Sequence, residues 1–121
     1  MLANPLDATV RYLPGIAIIN LRGQINAFGE DVLNAAYAEL AKQNPSTILL
    51  NFSQVDYINS TGIALIVSLL AQSRKSGSRM LACGLSEHYT ELFRITRLID
   101  FIGVFPDEAS ALASVTPASA T

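Results

Sequence analysis

Ser60 and Thr61 are the residues of this chain best placed to do chemistry. They close the stretch Ile48-Leu49-Leu50-Asn51-Phe52-Ser53-Gln54-Val55-Asp56-Tyr57-Ile58-Asn59-Ser60-Thr61-Gly62, between one apolar run and the next. The first run reads as a buried strand and the second, from Ile63, as an apolar helix, so the two hydroxyls fall at a helix start. The first N–H groups of a helix have no partner within it, and the helix dipole is positive there. Such a place suits an oxyanion. Two uses compete. Asn59 or Ser60 can cap the helix by accepting from N–H groups two or three residues on. Alternatively the Ser60 hydroxyl, with Thr61 as a second candidate, accepts a phosphoryl group, which adds about −1.5 to −2 charges and three acceptor oxygens. The helix start tolerates that charge and an acidic or apolar partner surface does not, so the position suits a switch. Gly62 lets another backbone, or a nucleotide, come close. Asp56 and Asn59 stand where they could orient a hydroxyl or face a partner.

Other chemistry has little support. His88 is the sole histidine, with only Glu87 and Glu91 nearby, so neither a metal site nor a base for Ser60 is expected. No G-x-S-x-G surrounds Ser60, no phosphate-binding glycine motif occurs, and Asp56 has no carboxylate beside it. The expectation is therefore no enzyme and no cofactor. Arg94 and Arg97 read as cations favoured at a helix end. A net charge of −2, with basic residues scattered apart from Arg74, Lys75 and Arg79, argues against nucleic acid. The longest apolar run, Ile63–Ala71, spans nine residues and includes Ser68, short of the ~20 that a membrane span needs. No basic segment followed by an apolar core begins the chain, so no signal peptide is expected. Cys83 is alone and excludes an internal disulfide; it reads as a small core residue in a cytoplasmic protein. Half of the 121 residues are hydrophobic and 15% charged. That apolar balance points to a surface that meets a partner.

The elements that would position Ser60 follow from pattern. Residues 1–7 read as a poorly ordered lead-in, 8–115 as one domain and 116–121 as a disordered tail. Thr9–Tyr12 alternates as an edge strand, and Pro14-Gly15 turns it into a strand over Ile16–Leu21 that Gly23 ends. A helix is expected from Ala27 to about Gln43, capped by Asn26, with Phe28, Val32, Leu33, Ala36 and Leu40 as its apolar stripe. Asn44-Pro45 stops it. Thr47–Phe52 reads as a strand covered on both faces, and Ser53–Ile58 as a loop. The helix Ser60–Lys75 is hydrophobic nearly all round its first three turns and so should be largely buried. Arg79–Cys83 is the next strand. Ser86 caps a helix to about Thr96, packed through Leu92, Phe93, Ile95 and Leu98. Phe101–Phe105 is a last strand, and Pro106-Asp107-Glu108 opens a helix ending near Val115. The order β-β-α-β-α-β-α-β-α predicts an α/β fold with a mixed, mostly parallel sheet of four to five strands and about four helices. The edge strand at Thr9–Tyr12 offers a route to a homodimer.

Three stretches resemble the STAS domain of anti-sigma factor antagonists. Leu21-Arg22-Gly23-Gln24-Ile25-Asn26 resembles the family's L-x-G-x-[IL]-D segment. The run from Ile48 to Gly62 resembles its D-[LF]-S-x-[VL]-x-x-[IM]-D-S-[ST]-G signature. Gly84-Leu85, Leu92, Ile95, Leu98 and Phe105-Pro106-Asp107-Glu108-Ala109 resemble its last third. The match spans roughly residues 8 to 115. Asn26, Asn51 and Asn59 stand where the family often has aspartate, and Asn59 removes a negative charge that would repel a phosphate on Ser60. The resemblance implies a STAS-like fold and a cytoplasmic regulatory protein that is not an enzyme. It implies that the bare form binds an anti-sigma factor that is also a serine kinase of the GHKL type. That kinase would phosphorylate Ser60, and a PP2C-type phosphatase would reverse it. The candidate partner-binding residues are Asn26, Phe28, Asp56, Tyr57, Ile58, Asn59, Ser60, Thr61, Gly62 and Ile63. Two alternatives remain open at this point: a constitutive STAS adaptor subunit of a transport complex that is never phosphorylated, and a small module that binds a nucleotide or another anion.

Overall fold

The computed structural model describes residues 4–115. β1 (Asp7–Leu13) and β2 (Ile16–Ile25) form an antiparallel hairpin across Pro14-Gly15. β3 (Thr47–Ile58), β4 (Arg79–Cys83) and β5 (Gly103–Phe105) follow in parallel, so the sheet order is β1-β2-β3-β4-β5. α1 (Glu30–Ala41), α2 (Ser60–Lys75) and α3 (Glu87–Ile95) connect the parallel strands, and α4 (Glu108–Val115) closes the described chain. The fold is the α/β architecture that the pattern predicts.

Alternation along the central strands divides the core in two. Ala17, Ile19, Leu21, Ile48, Leu50, Phe52, Met80 and Ala82 pack with Leu33 and Leu40 of α1, Ile66 and Leu69 of α2 and Phe93 of α3. Ile18, Leu49, Leu81 and Cys83 turn to the opposite face, where Ala111 of α4 meets them. This is why Ile48 to Leu50 is continuously apolar: both faces of β3 are covered there. Cys83 is wholly buried in the smaller cluster, and burial pushes its thiol up to about 11.

Several elements differ from the sequence expectations. Gly23 does not end β2. The strand bulges there at φ +99°, and a Cβ would lie 2.6 Å from the Pro5 carbonyl oxygen. Ser53–Ile58 is not a loop but the second half of β3. Two register shifts against β2 break its period of two, and at the first of them Asn51 Oδ1 accepts from Ser53 N and Oγ at 2.9 and 2.7 Å. A 3-10 turn at Ala27–Gly29 precedes α1, so the helix proper begins at Glu30. Phe28 is 76% exposed, outside the stripe that Leu33, Ala36, Tyr37 and Leu40 form. α2 is half buried, not largely buried: Ser60, Thr61, Ala64, Val67, Ser68 and Ala71 face outward. Ile95 is exposed, and a 3-10 turn at Leu98–Asp100 precedes a β5 shorter than expected. Within the expected lead-in, residues 4–6 are packed. Gln24 N donates to the Asn4 carbonyl at 2.9 Å, and Leu6 is buried against Gly29. Residues 1–3 and the tail 116–121 lie outside the described residues.

Candidate functional site

The site lies where β3 hands over to α2. Asn59 holds extended backbone (φ −94°, ψ −177°), and its Oδ1 accepts from Gly62 N at 2.8 Å. The first helical bond runs from Ile63 N to the Asn59 carbonyl at 2.9 Å. Asn59 is therefore the cap, and Ser60 stands at the first helical position. The Ser60 side chain is exposed and has no hydrogen bond among the described residues. Thr61 is exposed beside it. The capping work is done by a neutral amide, which leaves the serine hydroxyl free and adds no charge next to it.

What comes close to Gly62 is backbone. A Cβ there would lie 2.1 Å from the Ile25 carbonyl oxygen and 3.0 Å from Ile58 Cγ2. Asn59 N donates to that same Ile25 carbonyl at 3.2 Å. The first turn of α2 is thus seated on the end of β2, and no space is left at Gly62 for a nucleotide. On the other side, Ile58 N donates to the Tyr89 hydroxyl at 2.9 Å, and Tyr89 meets the His88 ring edge-on at 4.8 Å. Helix α3 thereby fixes the last residue of β3 before the turn. Nothing in the sequence pattern marked Tyr89 for this, since the contact joins residues 31 positions apart.

The other candidate residues divide by exposure. Phe28 and Tyr57 present large apolar side chains to solvent, at 76% and 51%. Asn26 caps the 3-10 turn that carries Phe28, accepting from Phe28 N at 3.0 Å. Ile63 is half-buried and packs against the core. Ile58 and Gly62 are buried and shape the site from within. Asp56 is exposed, but its carboxylate accepts from Asn4 Nδ2, so it is directed to the N-terminal segment and not to Ser60. Asn51 lies elsewhere: its Nδ2 donates to Glu108 Oε1 of α4 at 3.2 Å, and Arg11 Nη2 reaches the same oxygen at 2.5 Å. Among the described residues no group of three His, Cys, Asp or Glu could hold a metal ion, and no helix is long and apolar enough to cross a membrane.

Ser60 thus presents an exposed, unbonded hydroxyl at a positively polarised helix start, and two neighbouring elements present the exposed aromatics Phe28 and Tyr57. The STAS domain family model matches residues 7–111, and the chain belongs to that family. An anti-sigma-B factor antagonist of Bacillus subtilis is 30% identical over 86 residues, covering 71% of this chain and 78% of that protein. Among solved structures, an anti-sigma factor antagonist from Mycobacterium paratuberculosis superposes with a TM-score of 0.77 at 18% identity, covering 97% of this chain and 100% of that one. The Bacillus cell fate determinant SpoIIAA, in its phosphorylated form, gives 0.70 at 17% identity, covering 89% of this chain and 98% of that one.

Proposed function

We propose that this protein is an anti-sigma factor antagonist-like regulator that switches partners by reversible phosphorylation of Ser60. The observation that carries the reading is the free, exposed Ser60 hydroxyl on a helix start that Asn59 already caps. A phosphoryl group there meets the positive end of α2 and requires no rearrangement of the cap. The bare surface of Phe28, Tyr57, Ser60, Thr61 and the outward face of α2 binds an anti-sigma factor. That partner is also the kinase, of the GHKL type, and a PP2C-type phosphatase restores the hydroxyl. The protein itself performs no catalysis and works in the cytoplasm. Likeness to the Bacillus subtilis anti-sigma-B factor antagonist supports the antagonist role. That SpoIIAA, which shares the fold, exists in a phosphorylated form supports the switch.

The test is intact-mass analysis of the protein from its native host, with peptide mapping over residues 46–74. A fraction heavier by one phosphate and mapped to Ser60 supports the switch. A single unmodified mass under every growth condition favours the constitutive adaptor of a transport complex. Ser60→Asp should fold, because a carboxylate suits a helix N-terminus, and should lose the partner that Ser60→Ala retains. Unfolding of Ser60→Asp would refute the view of Ser60 as a surface residue.

A further inference from the structure

The outward stripe of α2 does not stop at the switch. It runs from Ser60 through Ala64 and Val67 to Ala71, all exposed, and opens into a groove of about 630 Å³. Val67, Ala71, Leu98 and Phe101 line the groove, and Arg74 and Lys75 stand at its edge. Phe101 is 53% exposed, with the Arg74 guanidinium 5.2 Å from its ring centre. Ile95, the last residue of α3, and Ile99 are also exposed, at 63% and 38%.

The charge around the groove selects its occupant. Among the described residues no acidic one lines it. The carboxylate nearest in sequence is occupied: Asp100 Oδ2 accepts from Arg97 Nε at 2.8 Å. Arg74 and Lys75 form no ion pair among the described residues. A protein with net charge −2 thus presents two uncompensated cations beside an apolar trough. The groove is shallow and continues the outward face of α2 that the switch reading gives to a protein partner, so a protein segment is its occupant.

We propose that this groove docks an amphipathic helix with an apolar face and an acidic flank, contributed by the partner that reads Ser60. The proposal rests on the switch reading for the identity of that partner but not for the groove itself. Val67 to Ala71 lies one to two turns of α2 beyond Ala64, and Ala71 lies about 16 Å along the axis from Ser60 at ~1.5 Å per residue. The groove contact therefore lies beyond a phosphate on Ser60, and release of the partner on phosphorylation acts through its remaining surface, which meets the serine. The groove supplies apolar contact, and Arg74 and Lys75 set the direction and charge of what enters.

The test uses the full chain, labelled with nitrogen-15, and a 14-residue helical peptide with leucines at i, i+3, i+4 and i+7, glutamates along one flank and alanines elsewhere. The expected result is a set of amide shifts confined to Val67, Ala71, Leu98, Phe101 and their neighbours. The Arg74→Glu, Lys75→Glu double variant should weaken binding at least tenfold while keeping a dispersed spectrum, since both residues are exposed. Ser60→Asp should bind the peptide as the wild type does. No shifts in the groove, or equal binding of a peptide with lysine in place of glutamate, would overturn the proposal. Stronger and similar shifts with phosphatidylserine vesicles would overturn it too, in favour of a membrane surface. The groove and the switch fail separately: peptide binding does not depend on Ser60, and the mass of the native protein does not depend on the groove.

Discussion

Gly62→Ala tests whether the switch residue is held by the end of β2. Ordinary contact begins near 3.4 Å, and the new Cβ would lie 2.1 Å from the Ile25 carbonyl oxygen, which is backbone and has no rotamer to change. The first turn of α2 must retreat by about 1.3 Å, or β2 must. Overpacking of this severity costs about 3 kcal/mol, at the upper end of the usual range. Retreat also breaks the 3.2 Å bond from Asn59 N to Ile25 O, about 1 kcal/mol more. Alanine returns about 1 kcal/mol through helix propensity. The net loss is about 3 kcal/mol, against a total of roughly 5–15 for a domain, and should lower Tm by about 12 °C. Urea titration followed by circular dichroism at 222 nm measures it. Gly77→Ala is the control: Gly77 has φ +80° with nothing within 4 Å of a Cβ, so only backbone strain of about 1 kcal/mol applies. If Gly62→Ala is as stable as wild type, or costs no more than Gly77→Ala, then α2 is not seated on β2 and the geometry of the Ser60 turn has another origin.

Four further outcomes follow from the same structure. Asn59→Ala should cost about 1 kcal/mol by removing the cap on Gly62 N, whereas Asn59→Asp should keep it; denaturation midpoints separate the two. Tyr89→Phe should cost about 1–3 kcal/mol because it leaves Ile58 N–H without its acceptor, and amide exchange at Ile58 should quicken. Asn51→Asp should place a second carboxylate beside Glu108 and lose the donor at 3.2 Å, for a loss of about 1 kcal/mol at pH 7. The penalty then fades as pH falls and the carboxyls protonate, and Glu108→Gln should relieve it. Asp107 is held below the usual carboxylate range by the Ser110 N–H, at 2.8 Å, and then by the Ser110 side chain. Its support of α4 is therefore full above the unfolded value near 4 and is lost as pH falls through the lower folded value; Asp107→Asn should flatten that acid limb in a pH series of melting curves.

The hairpin at Pro14-Gly15, the whole of α2 and the strand Arg79–Cys83 were legible because composition, breaker residues and period agreed at each. β3 beyond Phe52 was not, because its bulges interrupt the alternation that a strand is read by, and Asn51 bonding to Ser53 imitates a turn. The composition of α2 was misread for a different reason. An apolar circumference signals burial only where both sides of a helix are covered, and here the sheet covers one. The residues left over, Ala64, Val67 and Ala71, are apolar and exposed. At the site, Ser60, Thr61 and Tyr57 lie on the surface as a helix start would place them. Gly62 and Ile58 lie inside, since a glycine beside a hydroxyl reads alike whether it admits a ligand or a neighbouring strand. Asn4–Leu6 and Tyr89 act only through contacts distant in sequence, for which one chain carries no pattern.

Cys83 gives the chain a clock of its own. It is the only thiol, sealed at 0% exposure in the cluster that Ala111 of α4 closes, and with a pKa of about 11 it is scarcely ionised at pH 8. A disulfide reagent can reach it only when this cluster opens, as it would if the eight-residue α4 lifted away, and each molecule then reacts once. The labelling rate therefore counts openings of this face of the sheet, and it does so with no cysteine introduced for the purpose. Events at Ser60 take place on the other core, so the rate should hold steady when the switch turns and rise when the α4 side loosens.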